Sequence, residues 1–226
     1  MTLQDRKTWD FGRLLNTLGY FRVIPFLGTL NWFTPTVPVM AQFDSNAVSP
    51  ILFDFRNPRL DLRETWGAID DVVMGGVSES QLSLVNGVGL FSGNVSTANS
   101  GGFASVRTRN FSPPLDLSNY SGLDLRVQGD GQRYKFLIRT TQSWDGLAYS
   151  YSFDTIANQW MTIRVPFDQL RPVFRAKTVE DAPPLQASQV ISLQLMLSKF
   201  EYDRALNPYF RSGFFQFQLE TIAAYR

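Results

Sequence analysis

From Ile51 onward the chain alternates apolar and polar positions with a period of two. In "GLDLRV" (122–127) Leu123, Leu125 and Val127 share one face while Asp124 and Arg126 share the other. "RYKFLIRTT" (133–141) sets Tyr134, Phe136 and Ile138 against Lys135, Leu137 and Arg139. "LAYSYSF", "WMTIRV", "VISLQLMLS" and "FFQFQLETI" repeat the pattern, which is the signature of half-buried strands. "SQLSLV" runs into Asn86-Gly87 and then "VGLF", a hairpin joined by a type I′ dipeptide. About ten such strands, each with one wet face and no helix-length runs between them, predict an antiparallel β-sandwich. "DQLRPVF" after Pro166 predicts a single helical turn, and no internal repeat is visible.

Residues 1–42 follow a different period. Phe11, Leu14, Leu15, Leu18 and Phe21 fall at helical spacing and form one apolar face, with Arg6, Lys7, Arg13 and Arg22 around it. Pro25 ends or kinks that helix. Asn16, Arg22, Pro25 and Asn31 interrupt every window of roughly 20 residues, which argues against a membrane span. Val39-Met40-Ala41 loosely fits a signal-peptide cleavage site, but the segment is too long and carries Arg22 inside its apolar part. Three readings stay open: an interfacial helix, a helix that docks on a partner, and a helix packed on its own domain. For the first two, the candidate anchors are Trp9, Phe11, Arg13, Leu14, Leu18, Phe21, Arg22, Trp32 and Phe33. "TPTVPV" and "DSNAVSP" predict a linker, so the expected division is an N-terminal segment, 1–42, and a β-sandwich domain, 43–226.

Composition narrows the chemistry. The 226 residues are 44% hydrophobic, enough for a sizeable core, and the net charge of +1 offers no electrostatic case for nucleic acid. There is no cysteine and no histidine. Disulfides, thiol nucleophiles, Cys- or His-ligated metals and Ser-His-Asp catalysis are therefore excluded. The Asn-x-Ser triplets at Asn94, Asn110 and Asn119 carry no weight without a sign of secretion.

"DDVVMGGVS" (70–78) is the least strand-like stretch of the domain. On a strand Asp70 and Asp71 would point to opposite faces, so they make no acid/base pair; in a loop they suit a cation, with Asp54, Asp116 and Asp130 as distant further ligands. The plainer reading has one carboxylate capping a turn and the other pairing with an arginine. The doublets Gly75-Gly76 and Gly101-Gly102 sit beside Met74 and Phe103, consistent with bulges or close backbone approach. Arg107 ends the apolar stretch "GGFASVR"; pointing inward it needs an anion, and Asp70 or Asp71 is the expected partner. Trp144, Trp160 and Tyr149 suit either a sugar-stacking platform or the core.

Taken in order, Trp66 with "DDVVMGGVS", "FSGNVSTANSGGFASVR", "YSGLDLRVQGDGQRYKF", "WMTIRVPFDQLRPVFRA" and "ISLQLMLS" followed by "GFFQFQLETI" resemble the complex I intermediate-associated protein 30 family, in a bacterial or cyanobacterial form. The resemblance covers roughly 52–222; Ala176, where the family usually shows glycine, is a departure. It implies a galactose-binding-like jelly-roll sandwich, similar to carbohydrate-binding modules. It also implies an assembly factor for a respiratory or photosynthetic membrane complex, without known enzymatic activity or cofactor. Its partners would be subunits or assembly intermediates of that complex, met on the cytoplasmic side of a thylakoid or plasma membrane. The motif positions are Asp70, Asp71, Met74, Gly75, Gly76, Gly102, Phe103 and Arg107. The alternative is a carbohydrate- or calcium-binding sandwich module; a hydrolase ranks below both.

Overall fold

The computed structural model describes residues 10–21, 36–38 and 50–226. Trp9, Arg22, Trp32 and Phe33 lie outside the described residues. The elements in chain order are α1 (Phe11–Phe21), β1 (Thr36–Pro38), β2 (Ile51–Asp54), α2 (Leu62–Thr65), β3 (Trp66–Ala68), β4 (Glu79–Val85) and β5 (Val88–Val95). Then come β6 (Phe103–Thr108), β7 (Asn110–Ser112), β8 (Gly122–Gln128), β9 (Arg133–Arg139), β10 (Ala148–Asp154) and β11 (Trp160–Pro166). The last are β12 (Arg171–Phe174), β13 (Lys177–Thr178), β14 (Ser192–Ser198) and β15 (Gly213–Tyr225). Single 3-10 turns occur at Asp71–Met74 and, within the stretch expected to be helical after Pro166, at Phe167–Gln169.

Two antiparallel sheets stack face to face. The seven-stranded sheet runs β13-β12-β10-β9-β14-β6-β3; the six-stranded one runs β11-β8-β15-β5-β4, with β2 also on β15. The long strand β15 is the spine of the second sheet. Its first half pairs with β5 and its second half with β2, while β8 follows it on the other side, with a register shift between Leu219 and Thr221. Asn86 and Gly87 both take positive φ (50° and 78°), as a type I′ turn between β4 and β5 requires. β1 pairs in parallel with β7, so "TPTVPV", expected as linker, contributes a strand.

The alternating apolar positions of both sheets meet in one core. Phe91 lies edge-on to Phe215 at 4.9 Å and Tyr134 packs on Phe217 at 4.7 Å, with Leu123, Leu125, Leu193 and Leu195 fully buried around them. Expecting one wet face per strand is wrong for the seven-stranded sheet. On its outer face Ser105, Arg107, Lys135, Leu137, Ser192 and Gln194 are all buried. The segment after β14 supplies part of the cover, since Tyr202 packs on Leu137, Ala148 and Val173. The Lys135 ammonium donates to the carbonyls of Phe200 and Glu201.

α1 starts at a capping Asp10, whose Oδ1 accepts from the Arg13 N–H at 3.0 Å. It lies on its own domain: Leu18 and Phe21 are buried, while Phe11 and Leu15 face outward. Gly67 of β3 makes room for it, because a Cβ there would stand 2.3 Å from the Tyr20 ring.

Candidate functional site

The two carboxylates of "DDVVMGGVS" are both buried, and each gathers donors from separate loops. Asp70 is extended (φ −101°, ψ 175°) and Asp71 opens the 3-10 turn. Asp71 Oδ1 accepts from the Ser78 N–H at 2.8 Å. Its Oδ2 accepts from the Ser78 hydroxyl at 2.6 Å, the Gly102 N–H at 2.7 Å and the Phe103 N–H at 3.3 Å. Asp70 Oδ1 accepts from the Ser80 hydroxyl (2.6 Å) and the Ser105 N–H (3.0 Å); Oδ2 accepts from the Ser80 N–H (2.9 Å) and Arg13 Nη2 (3.2 Å). One residue thus ties the turn to the entries of β4 and β6. Its neighbour ties β4, β6 and α1 together.

The glycines follow from these carboxylates. Gly75 takes a left-handed φ of 86° to end the turn. A Cβ on Gly76 would come within 2.3 Å of Asp71 Cγ, and one on Gly101 within 2.4 Å of Asp71 Oδ2. Gly102 combines a φ of 134° with the Asp71 hydrogen bond and with the Lys199 side chain against its open face. One glycine of each doublet, Gly76 and Gly101, therefore clears space for the same buried carboxylate. The serines at 78, 80 and 105 were not singled out from sequence. For Ser78 and Ser80 the signal is the period-two spacing in "VSES", which aims their hydroxyls at the two acids; Ser105 contributes its N–H and carries no such signal.

Arg107 corrects the expectation. Neither Asp70 nor Asp71 pairs with it; the ion pair goes to Arg13 of α1, which also donates to the Ser78 carbonyl at 2.8 Å. Strand alternation explains why. Arg107 stands opposite Gly67 and Gln194 on the outer face of the sheet, 5% exposed, with its guanidinium 4.3 Å from the Trp144 ring centroid and 5.0 Å from that of Phe21. Burial, then repulsion from Arg139, holds its pKa well below the usual arginine range. Burial pushes the Asp70 carboxyl up to about 6, against the opposing pull of its donors.

The aromatic platform does not assemble. Tyr149 is in the core with its hydroxyl on the Pro183 carbonyl, Trp160 lies near Arg126 of the other sheet, and Trp144 covers Arg107. The distant acids have their own partners: Asp54 holds Arg56, Asp116 caps Ser118 and Asp130 accepts from Gln132 and Tyr134. Among the described residues no group of three or more acidic side chains is placed to hold a metal ion.

What the brace presents is apolar. Met74, at the tip of the turn, is 75% exposed, and Asn99 Nδ2 donates to the adjacent Gly75 carbonyl at 3.2 Å. Phe214 is 72% exposed and pairs with Asn94, which in turn pairs with Glu79 at the start of β4. Lys199 N–H donates to the Gly102 carbonyl, which brings Phe200, Leu206 and Tyr209 to the same end of the sandwich, all exposed. Among the described residues this end is built from hydrogen-bonded loops and stays exposed.

Fold and brace define a galactose-binding-like jelly-roll protein. It is similar to the family 11 carbohydrate-binding module of a Clostridium thermocellum cellulase, at a TM-score of 0.58 and 18% identity over 79% of this chain and 95% of that one. The same module in complex with a mixed-linked tetrasaccharide matches at 0.58 and 20% identity. At these identities the likeness is one of fold. The chain belongs to the complex I intermediate-associated protein 30 family, whose model matches residues 53–219. It is 28% identical over 175 residues to an uncharacterised protein of Schizosaccharomyces pombe (68% of this chain, 80% of that one). It is 25% identical over 157 residues to the mitochondrial complex I intermediate-associated protein 30 of Drosophila melanogaster (58% and 52%).

Proposed function

We propose that the protein is a non-enzymatic assembly factor for a membrane-bound electron-transport complex of the complex I kind, acting through protein–protein contacts at the braced end of the sandwich. Family membership supports the role. The carrying observation is the contrast at 70–78: a fully hydrogen-bonded buried acid pair fixes a turn whose tip, Met74, stands exposed with Phe214, Leu206 and Tyr209 nearby. Rigid loops that expose apolar side chains suit a contact surface, because little order is lost on binding. Phe11 and Leu15, outward on α1, would supply the peripheral membrane contact, since Leu18 and Phe21 are occupied by the domain. The sugar-module reading gains nothing from this site, as its aromatic platform is dispersed.

Affinity capture of the full chain from detergent-solubilised membranes of the source organism tests the reading. Subunits of one electron-transport complex should co-purify with the wild type and be lost with Met74→Glu/Phe214→Glu. Equal recovery by both proteins contradicts it.

A further inference from the structure

Among the described residues, buried and half-buried cations on the outer face of the seven-stranded sheet outnumber their acids. Lys135 has Glu201 near it, and Arg109, toward the next position on β6, reaches Glu64 Oε2 at 3.1 Å. Among the described residues Arg107 and Arg139 have no such partner. Asp145 attracts both, but it is exposed and held by Arg175 at 2.7 Å. α1, which lays Phe21 over Arg107, contains no acidic residue in its sequence FGRLLNTLGYF. The cover supplies rings and carbonyls without a counter-charge.

The hydrogen bonds of the two guanidiniums have one pattern. Arg107 Nη1 donates to the Trp144 carbonyl at 3.0 Å and Arg139 Nη1 to the Gly146 carbonyl at 2.8 Å. In each the Nε is buried without a hydrogen-bond partner, and the adjacent Nη2 of Arg139 has only a 3.5 Å contact with Gln194 Oε1. The Nε/Nη2 edge is the one that grips a carboxylate with two parallel bonds. Elsewhere among the described residues it does so in Arg56–Asp54, Arg133–Asp154 and Arg164–Asp124. Two guanidiniums that repel each other, Arg107 buried and Arg139 half-buried, each with a buried unpaired Nε, are costly unless an anion completes them.

We propose that Arg107 and Arg139 form a carboxylate-binding site under the 140–147 loop, roofed by Trp144 and by Phe21 of α1. The carboxylate comes either from a small dicarboxylic acid or from an acidic side chain of a bound polypeptide. Both arginines also hold carbonyls of the loop, so binding orders the loop and α1 together.

The test uses the full chain, with the thermal midpoint and calorimetry followed during titration with malonate or with end-blocked triglutamate, at ionic strength matched by chloride. A saturable rise in midpoint is expected with at least one probe. Affinity should fall at least tenfold in Arg107→Gln and in Arg139→Gln and remain unchanged in Arg59→Gln, an exposed control. Tighter malonate binding assigns a small-molecule source, and tighter peptide binding a polypeptide. If Arg107→Gln does not fold, Arg139→Gln decides alone. No saturable response in the wild type, or the same response in the wild type and the arginine variants, overturns the proposal.

Discussion

Asp71 is the side chain on which the braced end depends. Removing its carboxylate strands the N–H groups of Ser78 and Gly102 in a buried site and leaves the Ser78 hydroxyl only the longer bond to the Ser96 carbonyl. Asp71→Ala should destabilise by on the order of 3–5 kcal/mol in urea unfolding, as several donors lose their acceptor together. Gly76→Ala, which drives a Cβ into the same carboxylate, should cost about 1–3 kcal/mol, and less when Asp71 is already alanine. Additive costs would show that the glycine serves the backbone alone. Asp70 predicts a pH signature. Its folded pKa, about 6, is above the ordinary 3.8, so its protonation adds stability that is complete below about 3.8 and lost as pH rises through 6. Asp70→Asn lacks that slope. Its stability relative to the wild type should therefore improve between pH 4 and 7, by on the order of 3 kcal/mol. A constant difference between the two would contradict the raised pKa. Adjacent acids and paired glycines marked this site in the sequence, and the apolar setting of Arg107 pointed to its burial. The pairing was not legible, because strand parity placed Arg107 on the far face and a helix from outside the sandwich supplied Arg13.

Hairpins and strands were the legible elements: one period and one Asn-Gly pair specify β4 to within a residue and the start of β5, which runs four residues past "VGLF". Their cover was not. Residues 199–212 carry no regular period, yet they bury Lys135 and Leu137, whose alternation alone reads as a wet face. α1 was legible as a helix from Phe11 to Phe21, but sequence left lipid, partner and own domain all open. Leu18 and Phe21 are buried against the sandwich while standing outside its main core cluster. Leu18→Ala should therefore free the helix locally and leave global unfolding little changed. Hydrogen exchange should speed up across residues 11–21 and at β3, with β9 and β14 still protected. Flotation with anionic liposomes adds the membrane arm: Phe11→Ser/Leu15→Ser should reduce binding, and unchanged flotation would remove α1 from any lipid contact.

Both sheets, with every strand pair antiparallel, were foreseeable as a class, while the strand order rests on long-range pairings that no local window contains. The closure of the sandwich leaves one end fixed by Asp70 and Asp71 and apolar at its surface, and that end is the contact surface we propose. If the braced end makes the assembly contact, function should fail when its surface changes and the fold does not. The measurement is the level of mature complex on native gels, in cells lacking the gene and complemented with wild type or with Met74→Glu/Phe214→Glu. Because both side chains are largely exposed, the variant should keep the wild-type melting midpoint. The account predicts that the wild type restores the complex and that the equally stable variant does not. Full restoration by the variant would contradict it.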